Sequence, residues 1–179
     1  MRQNHVEKTM DAANSGLAPV TIRPAAPADL PAIGRLGALL VRTHHDFDKQ
    51  RFISATPDTE QGYASFLGTQ LNEPNVFVLV AELQGEVVGY TFSGIEGWDY
   101  MTLRGPAGFL HDIVVDERCR GHGVAKTLIE ATVAALEARG APRVILWAAE
   151  GNDRAQKLFA RAGFRRTMVE MTRELNGGS

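Results

Sequence analysis

The sequence predicts an α/β fold built on a mixed sheet, and three observations carry that expectation. A β-branched run, Ile113-Val114-Val115, leads through Gly121 and Gly123 into a long amphipathic pattern, as a strand feeding a helix would. The run Val144–Ala149 (VILWAA) is almost continuously apolar, which suits a strand covered on both faces. Strand and helix periodicities alternate along the chain in the order βααβββαβαβ, the pattern of one mixed α/β layer structure.

Val20–Arg23 is a short strand candidate, ended by Pro24 and Pro27. Asp29 suits an N-cap and Pro31 the first turn of a helix whose apolar face is Leu30, Ile33, Leu36, Leu39 and Leu40. Thr43–Pro57 reads as polar and irregular. Asp58 can cap a second helix with Tyr63, Phe66, Leu67 and Leu71 inside. Asn75–Leu83 and Glu86–Gly94 read as a hairpin turning at Gln84-Gly85. A loop, Glu96–Gly105, leads into the strand Ala107–Val115. The next helix starts near Gly123, presents Leu128, Ile129, Ala131, Val133, Ala135 and Leu136, and stops at Gly140 before Pro142. After VILWAA, Asn152 or Asp153 caps a last helix with Ala155, Leu158, Phe159 and Ala162, closed by Gly163. Phe164–Leu175 reads as a final long strand, whose apolar edge offers a homodimer contact.

With 179 residues, one domain over 19–176 is expected, preceded by a polar arm over 1–18 that lacks the apolar centre of a signal peptide. A net charge of -2 argues against nucleic acid or an acidic membrane as partner, so any anion site is local. The single cysteine, Cys119, excludes an internal disulfide framework and fits a cytoplasmic location. No apolar run reaches membrane-spanning length.

The stretch His111–Ala125 (HDIVVDERCRGHGVA) joins a strand to a helix N-terminus through glycines. Unpaired first-turn N–H groups and the positive end of the helix dipole suit a phosphate there. Arg118, Arg120 and Lys126 add positive side chains. A Walker A loop fails, because Ala125 precedes Lys126-Thr127 and Arg120 holds its first glycine position. A Rossmann loop fails at Lys126, where a third glycine belongs. What fits is Arg-x-x-Gly-x-Ala over Arg120-Gly121-His122-Gly123-Val124-Ala125.

That loop, with HDIVVDE before it and GNDRAQKLFARAGF after VILWAA, resembles the acyl-coenzyme A motif of the GCN5-related N-acetyltransferase (GNAT) family. The resemblance runs from His111 to Phe164, and element order extends it back to Val20. It implies a central, mostly antiparallel twisted sheet flanked by about four helices. It also implies acetyl transfer from acetyl-coenzyme A to a primary amine of a small molecule or peptide, by direct attack in a ternary complex. The pyrophosphate would lie on residues 120–125, and the pantetheine arm along Ile113, Val114 and Val115, flanked by Asn152 and Phe159. No metal is implied.

Such chemistry needs a base, because a primary amine is protonated at neutral pH. His111 is chosen: it precedes Ile113 by two positions, which puts both on one strand face, whereas Asp112 points to the other and is structural. Glu96 and Asp99 are alternative bases or amine anchors. The family's frequent acid, a tyrosine in the last helix, is replaced by Phe159, so Tyr90 or Tyr100 would have to substitute. The same departure raises a second reading, an acetyl-coenzyme A sensor without transferase activity. Cys119 is incidental, and His44-His45-Asp46-x-Asp48 is read as a substrate-side loop rather than a metal site. Phe47, Phe52, Trp98 and Tyr100 are candidate walls of the acceptor pocket.

Overall fold

The computed structural model describes residues 19–175 and orders five strands in one sheet, β1-β2-β3-β4-β5. The strands are β1 (Thr21–Pro24), β2 (Val76–Leu83), β3 (Glu86–Glu96), β4 (Ala107–Val115) and β5 (Val144–Leu146). The helices are α1 (Leu30–Phe47), α2 (Thr59–Gln70), α3 (Val124–Ala138) and α4 (Asp153–Arg161). Pairings from β1 through β4 are antiparallel, and β5 joins β4 in parallel after the α3 crossover. The expected arm over 1–18 lies outside the described residues. No helix among those residues is long and apolar enough to cross a membrane.

Alternation along β2, β3 and β4 makes two cores. On one face Val78, Val80, Tyr90 and Val114 pack beneath Ile33 and Leu36 of α1 and Leu67 of α2. On the other, Leu79, Ala81, Val88 and Val115 pack beneath Val124 and Leu128 of α3. Burying each such large apolar side chain contributes about 1.5–3 kcal/mol. The Thr91 and Thr132 hydroxyls, both buried, satisfy each other at 2.8 Å between β3 and α3.

Asp29 takes a different role from the one expected. Its side chain does not cap α1. It accepts both terminal nitrogens of Arg23, at 2.7 and 2.9 Å, and the Ala26 N–H at 2.8 Å. Arg23 also donates to Glu82 at 2.8 Å, so one guanidinium ties β1, β2 and the start of α1 together. Its hydrogen bonds, joined by its charge, hold the Asp29 carboxyl below the usual range.

Two further expectations are corrected. α1 runs on through His44 and His45 to Phe47, because its helical ladder continues across the polar residues. The final strand is absent among the described residues: 165–175 carry no strand, and Met168, Val169, Met171 and Leu175 are exposed. β5 is three residues long and has no strand on its far edge among the described residues. Arg51–Glu170 and Arg166–Glu150 ion pairs hold the segment instead. Among the described residues the segment expected to offer a homodimer edge is thus not a strand, and β5 is half-buried rather than covered on both faces.

α1 and α2 cross in close contact. A Cβ on Gly37 would stand 2.3 Å from the Tyr63 ring, and one on Gly34 2.5 Å from the Glu60 carbonyl. Gly37→Leu is therefore expected to cost about 1–3 kcal/mol, read as a lower denaturant midpoint. Gly62→Ala, on the open side of α2, is expected to stabilise by about 0.4–1 kcal/mol. Equal effects of the two changes would contradict the packing described.

Candidate functional site

β4 is paired with β3 from Ala107 to Val115, but with β5 only at Gly108–Leu110. Beyond Leu110 its other edge has no strand beside it among the described residues. That open edge runs to a turn capped by Asp116, which accepts the Arg118 N–H at 3.0 Å, and then to Gly121 and Gly123. Both glycines have positive φ, 87° and 82°, and a Cβ on either would meet no protein atom within 4 Å. The first backbone bond of α3 is Thr127 N–H to the Gly123 carbonyl, at 3.0 Å. The N–H groups of residues 121–126 donate to no acceptor among the described residues. A row of free donors at the positive end of a 15-residue helix is a ready site for a phosphate chain.

The side chains around this loop contribute less than expected. Arg118 is paired with Asp116 at 2.8 Å, Arg120 with Glu117 at 3.0 Å, and Lys126 with Glu130 at 3.7 Å. These are solvent-facing pairs of small energy, so the cations can turn to an incoming anion. Val114 and Val124 are buried, and Ile113 and Val115 pack against the α3-side core. At these positions only the backbone is offered to a ligand. Ala125 and Cys119 also pack on that core, and His122 is exposed. The Asn152 side-chain oxygen accepts the Ala155 N–H at 3.1 Å and caps α4. Phe159 is buried, edge-on to Phe164.

At the other end of the open edge stands His111, and here the expected geometry is corrected. β3 and β4 slip register by one residue: Phe92 pairs with Asp112 and Ser93 with Leu110, leaving His111 as a bulge. The slip breaks the alternation. His111 does not share a face with Ile113; it joins Asp112 on the α1/α2 side, stacked on Phe92, whose own ring packs edge-on against Phe66 of α2.

The imidazole lies between two rings, 4.9 Å from the Phe92 centroid and 4.6 Å from that of Phe109. Trp147 meets Phe109 edge-on at 5.0 Å. His111 Nε2 sits 3.3 Å from Glu96 Oε1, and the other Glu96 oxygen is ion-paired with Arg104. Arg104, largely buried, also donates to the Gly97 carbonyl at 3.3 Å and lies over the Phe109 ring. Burial pushes the His111 pKa below its ordinary value; Glu96 pulls it up and Arg104 pushes it down again. The imidazole is thus biased towards its neutral form, with a carboxylate in reach to stabilise it once protonated.

Asp99 is occupied otherwise. It accepts the Thr102 hydroxyl at 2.7 Å and the Met101 N–H at 3.0 Å, and these bonds keep it ionised and shape the loop. Trp98 and Tyr100 stack on each other and face solvent. Phe47 and Phe52 pack edge-on around His44. His44 and His45 turn their Nδ1 atoms to the carbonyls of Leu40 and Phe52, both at 2.9 Å. Among the described residues no group of three or more His, Cys, Asp or Glu side chains could share a metal ion. Tyr90 is fully buried, and its hydroxyl donates to Asp112 at 3.1 Å.

Sequence reasoning missed Arg104, Phe92 and Phe109. The row Phe66–Phe92–His111–Phe109–Trp147 is assembled from three elements and the segment after β5, so no local spacing announces it.

Comparison with known proteins bears on the family and the fold of this chain. A family model described as "Acetyltransferase (GNAT) family" matches residues 40–164. An acetyltransferase of Photorhabdus laumondii is 40% identical over 82 residues, 46% of this chain and 51% of the relative. The chain thus matches about half the length of that curated relative. A solved mutant form of the BH1408 protein of Bacillus halodurans superposes with a TM-score of 0.75 at 22% identity, covering 87% of this chain and 99% of that one. A Clostridium acetobutylicum protein, described as a predicted acetyltransferase with acetyl-CoA, gives a TM-score of 0.67 at 14% identity, covering 87% and 96%.

The His111 environment makes a titration prediction. Its NMR midpoint is expected below 6.5. Glu96→Gln should lower it further, whereas Arg104→Met should raise it. Because the folded value is depressed, the associated stability is present above pH 6.5 and lost as pH falls through the folded midpoint. Midpoints unmoved in both variants would disprove the coupling.

Proposed function

The chain belongs to the acetyltransferase (GNAT) family, and on that premise we propose that it acetylates a primary amine of a small molecule or peptide, with acetyl-coenzyme A as donor. The observation that carries this reading is the open edge of β4, which joins His111 at one end to the free amides of residues 121–126 at the other. The donor supplies an activated acetyl thioester.

The chain's own residues supply the rest. The amides of 121–126 receive the pyrophosphate, and Arg118, Arg120 and Lys126 exchange their carboxylate partners for it. The unpaired edge over 111–115 hydrogen-bonds the pantetheine arm as a missing strand would, and an N–H of the same edge polarises the thioester oxygen. His111 takes a proton from the acceptor amine, directly or through water, and Glu96 steadies the imidazolium. The nitrogen forms its C–N bond as the C–S bond breaks, and sulfur leaves as thiolate. No tyrosine is needed, since water can protonate that thiolate. Asn152 and Phe159 act on the cofactor by shaping α4 rather than by direct contact.

Phe159 also favours a second reading, an acetyl-coenzyme A sensor that binds without turnover, because it has no hydroxyl to serve as acid. Thiol release across a panel of amines separates the two. Binding without release, persisting in Phe159→Tyr, would favour the sensor.

His111→Ala is expected to lower kcat by about 10²–10⁴-fold while cofactor affinity changes little, measured by thiol release and calorimetry. If its pH–rate profile matched the parent's, the base assignment would fail. Gly123→Val is expected to abolish acetyl-coenzyme A binding, since its side chain would occupy the space a phosphate needs, and to cost about 1–3 kcal/mol of stability from its positive φ. Retained affinity in that variant would refute the loop assignment.

A further inference from the structure

Among the described residues, every carboxylate withdrawn from full exposure is ion-paired with an arginine or lysine, with one exception. Asp29 and Glu82 face Arg23, Glu96 and Asp99 face Arg104, Asp116 faces Arg118, and Glu130 faces Lys126. Asp112 faces none. It is half-buried on the α1/α2 side of the sheet, in register with Phe92, and its side chain accepts one hydrogen bond, from the Tyr90 hydroxyl at 3.1 Å. His44 of α1 and Tyr63 of α2 are the other titratable groups close enough to act on it from the helices above. Neither brings a fixed positive charge.

Burial raises the Asp112 pKa, so a neighbouring cation is what would hold it as a carboxylate, and it lies beside His111 on the same face because of the bulge. The missing cation therefore has a natural source, the acceptor. It is not the nitrogen that reacts. Attack requires a neutral amine, and pairing that nitrogen with a carboxylate would favour its protonated form and oppose the reaction.

Resting on the transferase reading above, we infer that the acceptor is a compact diamine or polyamine: one nitrogen reacts beside His111, and a second, still protonated, pairs with Asp112 against Tyr90. Asp112 is thus a binding residue that selects substrates by charge number, distinct from the His111–Glu96 pair that handles the proton.

The test compares linear monoamines with α,ω-diamines of equal chain length, using thiol release from acetyl-coenzyme A with the parent, Asp112→Asn and Tyr90→Phe. In the parent, kcat/KM for diamines should exceed that for monoamines by at least ~10-fold. Asp112→Asn should collapse that ratio towards unity, mainly through KM, and Tyr90→Phe should reduce it partway while leaving the carboxylate in place. No diamine preference in the parent, or a ratio unmoved by Asp112→Asn, would overturn the inference. Should Asp112→Asn fail to fold, an unmoved ratio in Tyr90→Phe overturns it alone. If the parent turns over no amine, the transferase reading fails separately. The thermal shift produced by a diamine without cofactor then decides the site: a shift present in the parent and lost in Asp112→Asn supports it, and no shift in the parent refutes it.

Discussion

β4 is held on one edge along its whole length and on the other at three residues only. That inequality is the constraint on which the rest depends. A strand with a free edge in a sheet interior exposes backbone donors and acceptors that water or a ligand must satisfy. Here the free edge begins where the β5 pairing stops, at Leu110, and runs towards the turn that leads into the N-terminus of α3. The α3 crossover enforces the geometry: β5 has to return in parallel, and Arg143 lets it begin by accepting the Gly108 N–H at 2.9 Å.

The bulge at His111 adds a second constraint. One extra residue in β4 turns two neighbouring polar side chains to one face, where regular alternation would separate them. A histidine and an aspartate then share the space beneath α1 and α2, each with different company. His111 is held by aromatic faces and Glu96, and Asp112 by a phenol. The Arg104 guanidinium keeps Glu96 in place from a loop that Asp99 shapes, so a short hairpin excursion governs the electrostatics of a strand residue.

Much of the fold is legible in the sequence because local chemistry dictates it. The limits of β4, the Gln84-Gly85 turn with both φ positive, and the glycine stops at Gly140 and Gly163 follow from β-branching and from glycine's freedom. The glycine loop is legible for the same reason. The face of His111 is not, since a bulge is set by register against Phe92 and Ser93, more than a dozen positions away in sequence. Asp112 reads as structural only while strict alternation is assumed. The last strand misleads because Phe164–Leu175 has strand-like residues, yet a strand needs a partner edge as well as composition and 165–175 take up none. The histidines after Thr43 look irregular by composition, yet the turn-by-turn ladder of α1 carries them along.

Trp147 ends the aromatic row that begins at Phe66 and passes through His111. Its indole is mostly exposed, yet it touches Phe109, the ring on which the imidazole stacks. The chain has one other tryptophan, Trp98, in the loop that carries Arg104 and stacked with Tyr100. The molecule therefore carries its own optical gauge. Under the proposed function, a ligand along β4 that shields Trp147 would shift its emission to shorter wavelength, and Trp98, exposed and stacked with Tyr100, would serve as the internal reference.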